Sequence, residues 1–550
     1  QVVRLTIRSN NLGDVTRRAN LALSDASLGY GKDGALTIRG GLKSGGEATL
    51  TANYGIQVGE ARVRVKAIAP DLVDPSAPAN ASGYFTQGGG NPPALVYPME
   101  QTMAPRNIVQ MSFQWTGDAT AKAYRLRFVA PTFEQNVYVG PSVCSGTACR
   151  FQLKDDDFAT ILRSVAGSSV NVTVAQSPGP GQPSGETKPL ALAVSPEDVR
   201  GVLYYWSTSA QSLYRVGVES RTPQLFDTRV GCVGCHVASL DGARIGLAIS
   251  GASGSMGVFR SDTAQLFFAP SDKLKANLMT FSPEGDIILR LLNGKLELHR
   301  SDTGESLGLV PEDGPVNFPE WSPDGKSLVY ARYPADGLLD EDLFSRNVGD
   351  LTVRTMQRSG NTVNFGAARM IVPAEAGKSY NFYPSWAPDS QHLVFNRGAA
   401  PCGGAREGGS GVCGVYDAHN TSLWLARADQ SLPPVYLERA TYKTGMSTNW
   451  PRVAPFQQRG GSLIFITFSA RFDYAYTTQN RPQLWMAAVD LSRYQQGGDP
   501  SYAPFWIPAQ RFSDSNHLAT WTRSLPCVND QGCPDGYLCL AGKCLNKGRQ

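Results

Sequence analysis

The sequence predicts an all-β protein: two N-terminal β-sandwiches, a six-bladed β-propeller and a small disulfide-rich tail. Three observations predict it. Apolar residues alternate with period two through the first two hundred or so positions, the mark of half-buried strands. A strand–turn–strand motif then recurs every several tens of residues, as propeller blades do. Near the end, Cys527, Cys533, Cys539 and Cys544 crowd a segment too short to build a core without cross-links.

In residues 1–68, Val3, Leu5 and Ile7 share one face of an extended chain and Arg4, Thr6 and Arg8 the other. Ala48, Leu50, Ala52 and Tyr54 alternate again, as do Val63 and Val65 between Arg62, Arg64 and Lys66. This pattern resembles bacterial immunoglobulin-like surface domains. Residues 69–94 are rich in Pro, Ala, Ser and Gly and read as a linker. In residues 95–197, Val109, Met111, Phe113 and Trp115 alternate, then Tyr124, Leu126 and Phe128, then Val170, Val172 and Val174. A Trp strand followed by Tyr-x-Leu-x-Phe is similar to a fibronectin type III sandwich. The carboxylates of Asp155–Asp157 suit the start of one short helix.

Residues 198–526 carry the repeat. Phe281-Ser-Pro-Glu-Gly285, Trp321-Ser-Pro-Asp-Gly325 and Trp386-Ala-Pro-Asp-Ser390 each precede a short apolar strand. Ser239-Leu-Asp-Gly242 is a fourth copy, and the segment from Trp450 to Pro455 a degenerate fifth. The content is strand, tight turn, strand. These motifs resemble the TolB-type β-propeller repeat. Five blades are predicted to begin near residues 232, 277, 317, 381 and 449. The sixth is predicted to be split: Leu203–Trp206, Leu213–Val216 and the segment near 223–226 supply its outer strands, and Leu518–Trp521 returns as its innermost strand. Residues 527–550 form the cysteine-rich tail.

A net charge of +4 over 550 residues, without a basic block, gives no case for nucleic acid. No apolar run is long enough to span a membrane. Gln1 opens directly in a strand-like pattern, and the expectation is that a leader has been removed or lies outside this sequence. Eight of the ten cysteines fall into local sets, which predicts disulfides and an extracytoplasmic location: periplasm, outer surface or secreted. The pairs expected are Cys144–Cys149, Cys402–Cys413, Cys527–Cys539 and Cys533–Cys544.

The remaining two cysteines stand in Cys232-Val-Gly-Cys235-His236, the spacing at which two thiols add to the vinyl groups of one haem while the adjacent imidazole reaches the iron. One covalent haem c is therefore expected, with His236 as proximal ligand. Zinc would need two more ligands nearby, and neither a second CxxC nor a spaced His pair exists. A thioredoxin-like CxxC would need a βαβ context. Alignment of Ser239 with Ser282 sets His236 level with Met279, Pro319, Pro384 and Pro451, at the start of an innermost strand near one mouth of the channel. The motif is similar to that of δ-proteobacterial, notably myxobacterial, exported proteins that embed CxxCH in a propeller blade.

The sixth iron position decides between electron carrier and ligand binder. His517, level with Asn317 and Asn449, is the expected distal ligand, with Met279 as runner-up. Met256 and Met446 read as core or loop residues, His299 and His392 as solvated strand residues, and His419 lies in the 398–421 insertion. Gly304-Glu-Ser306-Leu-Gly308 matches a hydrolase pattern but lacks the strand–elbow–helix that the pattern requires.

These readings predict an exported monohaem cytochrome that transfers electrons, with no enzymatic activity assigned and its redox or surface partner unknown. The alternative is a surface binding or assembly protein, open to self-assembly, whose haem is structural or sensory. No paired His-Arg signature near the motif favours a peroxidase. One haem in a fold with a radius of gyration of about 24 Å is too dilute for a conducting polymer.

Overall fold

The computed structural model describes residues 1–227, 233–251, 253–333, 349–375, 378–399, 415, 417–443, 446–477, 480–527, 529–534 and 537–546. Two compact units divide at Asp198 and Val199.

The first unit holds both sandwiches. The N-terminal one pairs Val2–Arg4, Ala35–Ile38 and Gly29–Lys32 in one sheet, and Asn20–Leu23, Gly46–Tyr54 and Gln57–Val65 in another. Its core is small, centred on Leu28, Ala48 and Val65. The predicted Val3–Leu5–Ile7 face forms only in part: Leu5 and Ile7 are half-buried, with Thr6 and Arg8 exposed. The first strand ends at Arg4 and Val3 is exposed, because this edge strand faces little apolar surface. The second sandwich follows its pattern closely. Trp115, Tyr124, Leu126, Phe128, Val170, Val172 and Val174 are all buried, and Trp115 packs on Tyr124. The helix runs Asp155–Ser164, with three aspartates in its first turn and Phe158, Ile161 and Leu162 facing the core.

The 69–94 segment is not a free linker. Leu72–Val73 pair in parallel with Val137–Tyr138, extending the sheet of the second sandwich. Gly90 is pinned to Ser184 by a backbone hydrogen bond of 3.1 Å. Its Pro and Gly residues break up regular structure without preventing docking on a sheet edge.

In the second unit, six sheets form the ring, five of four strands and blade one of five, and their innermost strands meet in cyclic order. Those strands are Val233–Ala238, Leu278–Phe281, Val316–Trp321, Ser379–Trp386, Thr448–Val453 and Asn516–Thr522, for blades one to six. The sixth blade is split as expected: Asn516–Thr522 pairs antiparallel with Val202–Ser207, more than three hundred residues away. Ser207 Oγ donates to Asp514 Oδ2 at 3.1 Å across the same join.

The repeated turns explain themselves locally. Ser239 Oγ donates to Asp241 Oδ1 at 2.5 Å, Gly242 N–H closes on Ser239 O at 2.9 Å, and Gly242 takes φ +82°. Ser322, Asp324 and Gly325 repeat the arrangement with φ +75°. The glycine supplies the left-handed step that ends the turn.

The tail carries the Cys527–Cys539 and Cys533–Cys544 disulfides, and Cys144–Cys149 staples the second sandwich. The Cys402–Cys413 expectation lies outside the described residues. The tail borrows its core from blade six: Leu525, Cys527, Cys533 and Tyr537 pack with Val202, Tyr204 and Leu213. The Tyr537 ring lies directly on Gly217, where any side chain would collide with it.

Gly242 has a second role. A Cβ there would sit 1.7 Å from the carbonyl oxygen of Ser524, on the chain leaving the closing strand, whereas at Gly325 the nearest atom is 3.6 Å away. Gly325→Ala should therefore cost only the left-handed backbone strain, about 1 kcal/mol, and Gly242→Ala at least about 2 kcal/mol. Urea denaturation of both variants checks this. Equal losses would show that the Gly242–Ser524 approach adds nothing.

Candidate functional site: the propeller channel

The innermost strands do not run straight through the channel. In blades three to six each carries a bulge, and one residue at the bulge takes positive φ: Phe318 (+54°), Tyr383 (+49°), Trp450 (+58°) and Leu518 (+53°). Non-glycine residues enter this region at a cost of about 1–2 kcal/mol each. The return is a large side chain held inside the ring. Tyr383 stacks on Trp450 with centroids 3.6 Å apart, and Phe318 meets Tyr383 edge-on at 4.5 Å. Together they form an aromatic layer across the channel.

Blade one has a bulge one residue earlier, between Val233 and His236, and neither Gly234 nor Cys235 takes positive φ. There the residue level with the aromatic layer is Cys235. It is buried and is the only free cysteine among the described residues, and burial pushes its thiol pKa up to about 12. Cys232 lies outside the described residues.

His236 is one step further along the strand. It pairs with Leu247 as Met279 pairs with Arg290, so the two stand level on adjacent blades. His236 is buried, and both ring nitrogens lack a hydrogen-bond partner. Burial lowers its pKa to about 4, an effect reinforced by the Arg452 charge. The carbonyls of Tyr204 and Leu518 oppose that shift but lie outside hydrogen-bonding geometry. A neutral imidazole with free nitrogens is costly to bury unless something else uses them.

Met279 and His236 line one small cavity of about 30 Å³, with Cys235, Leu278, Phe318, Trp450 and Leu518. Below it the channel widens into a chamber of about 120 Å³ that leads toward the opposite mouth. Met279, Pro319, Arg452 and Thr520 belong to both spaces.

His517, expected to face His236, does not line either space. It lies one step beyond Leu518, on the other side of the aromatic layer, and pairs with Trp206. Its surroundings include Asp417, which forms an ion pair with Arg471. His517 is level with Asn317 and Asn449, as the repeat predicts, and the aromatic layer stands between it and His236. His299 and His392 are corrected as well. Neither is solvated: His299 is bonded to Arg290 and to the Gly304 carbonyl, and His392 to Asp389 Oδ2 at 2.7 Å. Met256 is buried in the core, while His419 and Met446 are half-buried. Ser306 donates to Glu297 in a hairpin, where no strand–elbow–helix surrounds it.

As a test of fit to haem c, the donors suit and the volume does not. A buried free thiol beside an imidazole with two unused nitrogens is the chemistry the group requires. The 30 Å³ cavity is far below the roughly 300 Å³ or more of pockets that hold drug-sized ligands, so a porphyrin would require the lining side chains to part. The only close set of three potential metal ligands among the described residues is Cys527, Cys533 and Cys544, which are already in disulfides.

No family model and no curated protein matches the chain. Solved structures with similarity include TolB from Acinetobacter baumannii, at 12% identity and TM-score 0.38, covering 67% of this chain and 86% of that one. The dihydro-heme d1 dehydrogenase NirN in complex with DHE aligns at 13% identity and TM-score 0.30, covering 56% of this chain and 53% of that one. The C-terminal WD40 domain of Sif2 aligns at 10% identity and TM-score 0.31, covering 79% of this chain and 93% of that one. Nothing about activity follows at these levels, and the fold rests on the strand pairing itself.

His517 generates a pH prediction. Burial, aided by Arg471 and opposed by Asp417, lowers its pKa from 6.5 to about 4. The unfolded chain therefore takes up the proton first as pH falls. The stability linked to neutral His517 is complete above about pH 6.5 and is lost as pH drops toward 4, on the order of 3 kcal/mol. His517→Asn places the residue that blades three and five carry at this level, and should reduce that loss. Chemical denaturation at pH 7.5 and pH 5 measures it, and an unchanged pH dependence would remove His517 from the account.

Proposed function

We propose that the protein is an exported monohaem c-type cytochrome whose propeller serves as the scaffold for electron transfer. The observation that carries this reading is the pairing of Cys232-Val-Gly-Cys235-His236 with a buried His236 whose two ring nitrogens are unused. Cys232 and Cys235 would hold the group through thioether bonds, and His236 would face the iron in its neutral form. The haem, when bound, supplies one-electron redox chemistry.

The chain's own residues define the surroundings. Phe318, Tyr383 and Trp450 exclude water from one side, and low polarity there disfavours the more highly charged oxidation state. Met279 shares the His236 cavity and replaces His517 as the preferred distal residue. The three disulfides among the described residues support maturation in an oxidising compartment. Among the described residues no helix is long and apolar enough to cross a membrane.

A second reading rests on a separate observation. The two sandwiches form a unit of their own with an exposed apolar hairpin tip at Ile56 and Val58, more than a soluble carrier requires. In that reading the molecule is a surface binding or assembly protein and the haem is structural or sensory.

Intact mass of the denatured protein and its pyridine haemochrome spectrum test the main reading. One haem per chain is expected, and none in Cys232→Ala/Cys235→Ala. In the haem-bearing protein Met279→Ala should open the sixth site to carbon monoxide, while His517→Ala should not. A mass equal to the bare polypeptide ends the cytochrome reading.

A further inference from the structure

A row of hydrogen bonds ties neighbouring blades together two register steps below the aromatic layer. Trp321 N–H donates to Thr280 Oγ1 at 3.2 Å, Trp386 N–H to Glu320 Oε1 at 3.0 Å, and Val453 N–H to Ser385 Oγ at 3.2 Å. Each time, an innermost-strand side chain accepts from the next blade. The row runs from blade two to blade five and stops. At the same level the following blades carry Arg452, Thr520 and Val237. Arg452 cannot accept and Val237 is apolar. Thr520 could accept, yet its Oγ1 is buried without a partner.

The gap borders the chamber and is rich in donors. Arg452 Nη1 reaches its own neighbour's carbonyl, Pro451 O, at 3.1 Å and stands 3.5 Å from Glu320 Oε2. Glu320 is already engaged, since its Oε1 also accepts from Ser385 Oγ at 3.1 Å. Trp321 is 95% buried, its Nε1–H has no partner, and it lines the same chamber. Arg523 adds an exposed cation among the lining residues. Counted as charges, Arg452 is offset by Glu320 and Arg523 is left over, which matches one negative charge. Counted as hydrogen bonds, Trp321 Nε1–H and Thr520 Oγ1 are donors without an acceptor, and Glu320 Oε2, 3.5 Å from Arg452 Nη1, is the lining carboxylate oxygen without a hydrogen bond.

We propose that the chamber beside His236 is a binding site for a monocarboxylate, anchored by Arg452 and completed by Thr520 Oγ1 and Trp321 Nε1. An ionised carboxylate only accepts hydrogen bonds, and its two oxygens match the planar guanidinium fork. The chamber's 120 Å³ takes a short acid, and Glu320 within 3.5 Å of Arg452 repels a dianion such as phosphate. The carboxylate has two sources: a free short-chain acid entering by the open mouth, or a propionate of the haem proposed above. The site rests on the chamber and stands whether or not the haem is present.

Calorimetric titration of the full chain with sodium acetate, against sodium chloride, tests the first source. Saturable acetate binding is expected, weakened about tenfold or more in Arg452→Gln and severalfold in Thr520→Val and Trp321→Phe. Thermal unfolding of each variant checks that it folds, and the two milder substitutions decide the matter if Arg452→Gln does not. Where haem is attached and acetate does not bind, the second source is tested by the midpoint potential. Loss of the Arg452 cation should then lower it, because the ferric form is no longer opposed by that charge. Acetate heats equal to those of chloride with an unshifted potential, or in a haem-free chain acetate heats equal to those of chloride alone, overturn the proposal. So does acetate binding that Arg452→Gln leaves unchanged. The mass measurement that decides haem attachment does not enter the acetate result, so the two readings fail separately.

Discussion

The pairing of Asn516–Thr522 with Val202–Ser207 is the constraint on which the second unit depends. A six-bladed ring has no edge only if its two ends are joined by hydrogen bonds, and here one short strand makes that join. The same strand brings Leu518 and Thr520 to the cavity beside His236. Closure and site are thus built from the same residues. The tail acts on this joint too. Tyr537 covers Gly217, and Gln224 Nε2 donates to the Cys533 carbonyl at 2.9 Å, so the disulfide-linked segment buttresses the sixth blade from outside.

A second constraint is the repeated bulge. Four bulky residues accept a left-handed backbone at the same register, and together they fill the channel with Phe318, Tyr383, Trp450 and Leu518. Backbone strain in four strands is exchanged for aromatic packing at the axis. Blade one bulges one residue earlier without the left-handed step, and places a thiol where the others place a large apolar group. The Cys-x-x-Cys-His motif is therefore an edit of the repeat rather than an insertion into it. It falls at a position where the ring already tolerates a bent strand.

Much of this was legible in the sequence because turn chemistry is local. The Ser-x-Asp-Gly turns located the blades, and the leftover apolar strand at 518–521 located the join. Alternation placed Trp115 and its neighbours in the second sandwich. What failed was of another kind. The docking of Leu72–Val73 depends on an unpaired sheet edge that composition does not reveal. His299 and His392 looked solvated because their partners, Arg290 and Asp389, become neighbours only once hairpins and turns have formed. His517 shares its register with Asn317 and Asn449 yet does not reach His236, since which side chains fill an axis is a question of packing between blades. The unpartnered Thr520 had no sequence signal, because its significance lies in the bonds its counterparts make.

Among the described residues, the aromatic layer stands at the inner end of the chamber like the floor of a shaft: beyond Arg452 and His236 comes Tyr383 stacked on Trp450. A solute that arrives and leaves by the mouth on the Arg452 side passes the same opening twice, so a substitution that narrows it slows arrival and departure together. Affinity is left to the walls of the shaft, and residence time to its opening.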